Sequence, residues 1–149
     1  MNEDIRETFH SMEYDEYYTS LDTKTKAKYD YVETIIKTQY VVNKKFVRNL
    51  EGTEFYEARV SVGTNEHRTI VFAVDSMSFI ESKQVLFLNS FLKKDTKQYK
   101  GEIENARRIL NNFVKPDEQS EANFDSAIAR NGRMKFNNYI QGGKEDEKA

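Results

Sequence analysis

Cysteine and tryptophan are absent from the 149 residues, and proline occurs once, at Pro116. Without cysteine there are no disulfides, thiolate zinc sites, iron–sulfur clusters or cysteine nucleophiles, and nothing points to an oxidising compartment. Long apolar runs are also missing. Stretches such as Thr69–Val74 and Val85–Leu88 fall far short of the about 18 consecutive apolar residues of a membrane span. The opening MNEDIRE is acidic and has no apolar core, so no secretory signal and no membrane partner are expected, and the cytoplasm is the expected location. What is present, 38% hydrophobic and 32% charged residues, describes a single soluble domain. A chain of this length buries about 68–70% of its unfolded surface, enough for one core without covalent staples.

The net charge of −2 speaks at first against a nucleic-acid partner. It is unevenly distributed. Residues 1–42 hold 5 Lys/Arg against 9 Asp/Glu, residues 43–115 hold 13 against 9, and residues 116–149 hold 5 against 7, giving −4, +4 and −2. The middle is basic and both ends are acidic.

Residues 5–10 suit a short strand, and Ser11 suits an N-cap for a first helix carrying Met12, Tyr14, Tyr17, Tyr18 and Leu21. Ser20 or Asp22 can cap a second helix, in which Ala27, Tyr31, Val32, Ile35 and Ile36 recur at intervals that mark an amphipathic stripe. Residues 54–62 alternate, with Tyr56, Ala58, Val60 and Val62 on one face and Phe55, Glu57, Arg59 and Ser61 on the other, the pattern of a half-buried strand. A turn at 63–66 leads to a central strand over HRTIVFAVD. A polar turn around Asp75–Ser82 then leads to a third strand over QVLFLNSFLKK, completing a meander. Residues 97–114 return to helical spacing through Ile103, Ala106, Ile109, Leu110 and Phe113, and Pro116 stops that helix. Beyond it, Phe124, Ile128, Met134, Phe136, Tyr139 and Ile140 suggest a partly helical extension with a mobile end.

The usual reaction motifs are missing: there is no GxxxxGKS/T, GxGxxG, GxSxG or HExxH, and the two histidines, His10 and His67, fall in different elements. No metal and no cofactor are expected. A cationic cluster remains. Arg59 and Arg68 lie on strands joined by a tight turn, and Lys93 and Lys94 end the third strand beside Lys97 and Lys100. Such a group can bind phosphates and stabilise the added negative charge of a phosphorane-like transition state. Arginine suits this because its planar fork matches phosphate oxygens. Equally, Lys and Arg at strand ends can simply be solvated and block edge pairing.

Four segments, YYTSLDTKTKAK at 17–28, LEGTEFYEARVS at 50–61, HRTIVF at 67–72 and FLKKDTKQYKGEIENARR at 91–108, resemble in sequence and order the HigB-like, phage-derived branch of the RelE/ParE toxin superfamily. The resemblance implies an α+β, RelE-like fold. N-terminal helices would pack on a curved antiparallel sheet of three to four strands, followed by one or more C-terminal helices. It places the toxin domain at 1–115 and leaves 116–149 as a C-terminal extension. It further implies the toxin of a type II toxin–antitoxin pair, acting on the ribosome as a metal-independent mRNA endoribonuclease. The partners would be mRNA and an antitoxin of helix-turn-helix type, docked on the sheet edge or beside the Leu21–Tyr40 helix. The alternatives are a ParE-like gyrase inhibitor and a catalytically silent protein-binding domain with the same fold.

Carried over by position, Arg59 replaces the family's RV arginine, Arg68 its second arginine, and Lys93 and Lys94 its KK pair. Arg68 and Lys94 are then expected at the phosphate or transition state, with Arg59 and Lys93 positioning the substrate and Glu57 orienting Arg59. Lys97, Lys100, Tyr99 and His67 are expected to bind substrate. His67 stands where the family commonly has Tyr, and is either an acid–base group or a packing histidine. Strand alternation puts it on the opposite face from Arg68 unless a bulge intervenes. Tyr99 can stack on a base or pack at the start of the last helix.

Overall fold

The computed structural model describes residues 3–113 and 141–142. The elements run β1 (Glu7–His10), α1 (Met12–Thr19), α2 (Thr23–Thr38), β2 (Val47–Asn49), β3 (Phe55–Val62), β4 (Asn65–Ala73), β5 (Gln84–Leu92), α3 (Gln98–Asn111) and β6 (Gln141–Gly142). The expected 116–149 extension lies outside the described residues, apart from Gln141–Gly142, which pairs with β1. Among the described residues no helix is long and apolar enough to cross a membrane.

The strands form one mixed sheet in the order β2-β3-β4-β5-β1-β6. The α+β class and the β3–β4–β5 meander stand, but the expectation of a wholly antiparallel sheet of three to four strands is corrected. β1 runs parallel to β5, made possible by the long connection through both N-terminal helices and the meander. β2 and β6, three and two residues long, extend the two edges and are too short to show a period in sequence.

Helix caps form where expected. The Ser11 side chain accepts from the Tyr14 amide at 3.0 Å, and that of Asp22 from the Thr25 amide at 2.8 Å, while Ser20 closes α1 instead. The buried stripe of α2 is rotated from the expected one: it comprises Thr25, Tyr29, Val32 and Ile36, while Ala27 is exposed and Tyr31 is 53% exposed. Both stripes obey helical spacing. Spacing alone does not decide which of the two meets the sheet, since Tyr29 and Tyr31 are equally apolar candidates.

Strand alternation divides the core in two. On one face Ala58, Val60, Val71, Ala73, Val85 and Phe87 pack under α1 and α2, against Tyr14, Tyr29, Val32 and Ile36. On the other, Phe55, Ile70, Phe72, Leu86, Leu88 and Phe91 pack against Ala106, Ile109, Leu110 and Phe113 of the α3 region. β3 is therefore covered on both sides rather than half-buried. The pairing of Ile70 with Asn89 and of Val71 with Phe87 leaves Leu88 as an extra residue, a β-bulge. Past it Asn89 faces α3, where its amide donates to the Glu102 carbonyl at 3.2 Å.

Two polar groups close the fold. Arg6 is buried and donates to the carbonyls of Ile36, Gln39 and Tyr40 at the end of α2, and to those of Phe79 and Ile80 in the β4–β5 loop, at 2.6–3.2 Å. Its guanidinium lies 4.9 Å from the centre of the Phe79 ring. These carbonyls include the unsatisfied acceptors of a helix end, so one side chain caps α2 and fastens the loop to it. His10 links β1, α1 and α2: Nε2 is 2.8 Å from Glu33 Oε2, Nδ1 is 3.2 Å from Asp15 Oδ1, and the Thr8 hydroxyl donates to Glu33 Oε2 at 2.6 Å. Burial alone would lower the imidazole's pKa, but Glu33 and Asp15 outweigh it and raise it above 6.5.

Arg6→Ala leaves five carbonyls without their charged donor and is expected to cost about 3 kcal/mol or more, measured as a fall in urea midpoint at unchanged slope. Arg6→Lys, which keeps the charge but loses the fork, should recover less than half of it. Because the folded-state pKa of His10 is raised, its stabilisation is complete below about 6.5 and fades as pH rises through the folded value. Urea midpoints at pH 6 and pH 9 should therefore differ less in His10→Gln than in the unsubstituted chain.

Candidate functional site

The β3–β4 hairpin decides the geometry of the cationic cluster. Its loop is two residues long, Gly63–Thr64, not the four expected, because Val62 pairs with Asn65. Gly63 has φ +61° and Thr64 has no positive φ, the pattern of a II′ turn, which wants Gly at its first central position. The resulting register sets Arg59 directly opposite Arg68 and Ser61 opposite Glu66. Two like charges opposed across a ladder repel.

A buried carboxylate resolves that repulsion. Glu57 Oε2 accepts from Arg59 Nη1 at 3.0 Å, and Oε1 lies 3.5 Å from Arg68 Nε and accepts from the Tyr99 hydroxyl at 2.6 Å. Arg68 Nη1 also donates to Glu66 Oε1 at 3.1 Å and to the His67 carbonyl at 2.9 Å. The Arg68 side chain is only 2% exposed, whereas that of Arg59 is 24% exposed. Burial and the Glu57 contact push the Tyr99 hydroxyl up to about 12, so it stays protonated and donates. Its ring meets Phe91 edge-on at 5.7 Å, an anchoring position at the start of α3.

The lysines lie along the exit of β5. The Lys93 amide donates to the Glu66 carbonyl at 2.7 Å, extending the β4–β5 ladder one residue past Leu92. Gln98 shapes the next segment: its Oε1 accepts from the Lys94 and Asp95 amides, and its Nε2 donates to the Leu92 carbonyl at 3.1 Å. Lys93 is half-buried, and Lys94, Lys97 and Lys100 are exposed.

His67 does not join the cluster. It is buried on the α1–α2 face, with Nδ1 2.9 Å from the Tyr17 hydroxyl and its ring edge-on to Tyr17 and Tyr29. Burial lowers its pKa, so it is a neutral packing group. The bulge at Leu88 lies on β5 and leaves the alternation of β4 between His67 and Arg68 intact. Among the described residues no group of three or more His, Asp or Glu side chains could hold a metal ion.

The structure thus brings together Arg59, Arg68, Glu57 and Tyr99, sets Lys93 and Lys94 at the rim, and separates His67. It adds two residues that the sequence reading passed over, Glu66 and Ser61. The Ser61 hydroxyl donates to Glu66 Oε1 at 2.7 Å. Their pairing follows from a two-residue turn at Gly63, which was the available signal.

Glu57→Gln preserves shape but leaves two opposed guanidinium groups over one remaining carboxylate. It is expected to destabilise the fold by about 3–5 kcal/mol, the range for removing one partner from a buried ion pair. Equilibrium urea unfolding of this variant beside Arg59→Ala measures it, with the smaller loss expected for the more exposed arginine.

Comparison of the chain with protein-family models, curated proteins and solved structures finds no match.

Proposed function

We propose that the chain is the toxin of a type II toxin–antitoxin pair, in the HigB-like branch of the RelE/ParE superfamily, and cuts mRNA on the ribosome. The observation that carries this reading is the opposed pair Arg59–Arg68 with Lys93 and Lys94 at the adjacent strand end. Two helices after β1 on one sheet face, a meander, and a third helix on the other face support a RelE-like architecture.

In the reaction the 2′-hydroxyl oxygen attacks the adjacent phosphorus and the bond to the 5′-oxygen breaks, leaving a cyclic phosphate and a 5′-hydroxyl. Arg59, Lys93 and Lys94 offset the charge gathering on the phosphoryl oxygens. Glu57 holds Arg59 in place, and Tyr99 holds Glu57. With His67 behind the sheet, the 2′-proton passes to a carboxylate or water, and an exposed ammonium group supplies the proton to the departing oxygen. Arg68, 2% exposed while Glu66 stands on its Nη1, adds a fixed positive charge to the site.

A second reading has its own support. Arg68 is enclosed and both guanidinium groups face carboxylates, which suits a catalytically silent domain that uses the sheet as a protein-binding platform.

Inducing the chain alone and mapping mRNA 5′ ends tests the choice. Growth arrest with codon-phased cuts is expected, and Lys93→Ala/Lys94→Ala should reduce cutting by about 100-fold, as when a transition-state donor is lost. Arrest without cuts, accompanied by lost DNA supercoiling, would favour the gyrase alternative. Cuts unaffected by the lysine pair would overturn the assigned roles.

A further inference from the structure

The two carboxylates of the cluster are built differently. Glu57 is 7% exposed and its two oxygens meet Arg59, Arg68 and Tyr99, so it belongs to the frame of the fold. Glu66 is 41% exposed and sits at the open side of Arg68, which is itself 2% exposed. One of its oxygens, Oε1, receives both the Ser61 hydroxyl at 2.7 Å and Arg68 Nη1 at 3.1 Å. A hydroxyl and a guanidinium nitrogen converging on a single anionic oxygen make the contact pattern that a phosphate oxygen would also take. Arg59 stands opposite Arg68 and its charge also acts on Glu66, so a second cation flanks the same point.

We propose that the Glu66 carboxylate occupies a phosphodiester-oxygen subsite formed by Arg68 Nη1 and the Ser61 hydroxyl, and that an incoming backbone phosphate takes its place. The inference rests on the phosphate-binding reading of the cluster and deepens it. Only the Glu66 side chain has to turn outward. Its main chain stays in the ladder, paired with Ser61 on one side and bonded to Lys93 on the other. The exposed carboxylate reaches water on leaving, while the enclosed Arg68 would be left with an unfilled donor unless an anion arrives. The subsite is thereby closed to weakly binding anions and opens to a ligand that other cations hold as well. The hydrogen bond from Ser61, then the charges of Arg68 and Arg59, lower the pKa of Glu66, so it is ionised when RNA arrives.

Glu66→Gln is the informative variant, since it keeps an oxygen acceptor for Ser61 and removes the competing charge. Two probes are titrated into the full chain by NMR: inorganic phosphate, and a short single-stranded deoxyoligonucleotide without terminal phosphates. The arginine side-chain and Ser61 amide signals report the site. The oligonucleotide should bind Glu66→Gln about tenfold more tightly than the unsubstituted chain, and adding Ser61→Ala should remove much of the gain. Equal affinity, a gain untouched by Ser61→Ala, or a gain confined to inorganic phosphate would each overturn the proposal. A urea midpoint near that of the unsubstituted chain establishes that both variants are folded. The outcome is separable from that of the cleavage reading. Tighter binding without mRNA cuts removes the enzyme and keeps the subsite, whereas mRNA cuts with unchanged binding remove the subsite alone.

Discussion

Two arginines face each other across adjacent strands, and the cluster holds together because a buried carboxylate lies between them. Glu57 takes Arg59 on one oxygen, and Arg68 and Tyr99 on the other. Opposed like charges cost energy on a ladder, and an enclosed guanidinium without a counter-charge costs more. Glu57 removes both costs together. Tyr99 joins the start of α3 to the same carboxylate, so the helix that covers one sheet face is tied to the charges at its edge. The arrangement also limits the cluster as an anion site. Much of the positive charge that the sequence places there is neutralised within the fold, and the freely solvated cations of the cluster are Lys94, Lys97 and Lys100.

The other sheet face follows a different physical plan. Aromatic rings dominate it: Tyr14, Tyr17, Tyr29 and Phe87 surround the two histidines with tilted and edge-on contacts 4.6–6.3 Å apart. His67 is held neutral among tyrosines, while His10 is held between two carboxylates. The same residue type thus takes opposite electrostatic roles within one layer, because carboxylate neighbours outweigh desolvation only at His10. Arg6 works on the same side as a main-chain device, collecting carbonyls from α2 and the β4–β5 loop.

Much of the local structure was legible in the sequence. Ser11 and Asp22 cap helices, alternation over 55–62 assigns each β3 side chain to its face, and the Ile103–Phe113 stripe packs on the sheet. These features depend on neighbours a few residues apart, so period and capping chemistry report them directly. The parallel seating of β1, the bulge at Leu88 and the rotated stripe of α2 were not legible. Each is set by which distant surface the element meets, and a short strand or a helix with two apolar stripes satisfies its local rules in either arrangement.

The sequence by itself determined the composition of the candidate site: a basic middle segment, Arg59 and Glu57 on one strand face, Arg68 and His67 on opposite ones, and lysines after the third strand. Only the tertiary structure decided how far each charge reaches solvent. The II′ turn at Gly63 set the register that opposes the arginines and pairs Ser61 with Glu66, and α3 brought Tyr99 over Glu57. Counting charges along a chain cannot show which are buried or neutralised, because burial and pairing depend on contacts between segments that sequence order leaves apart.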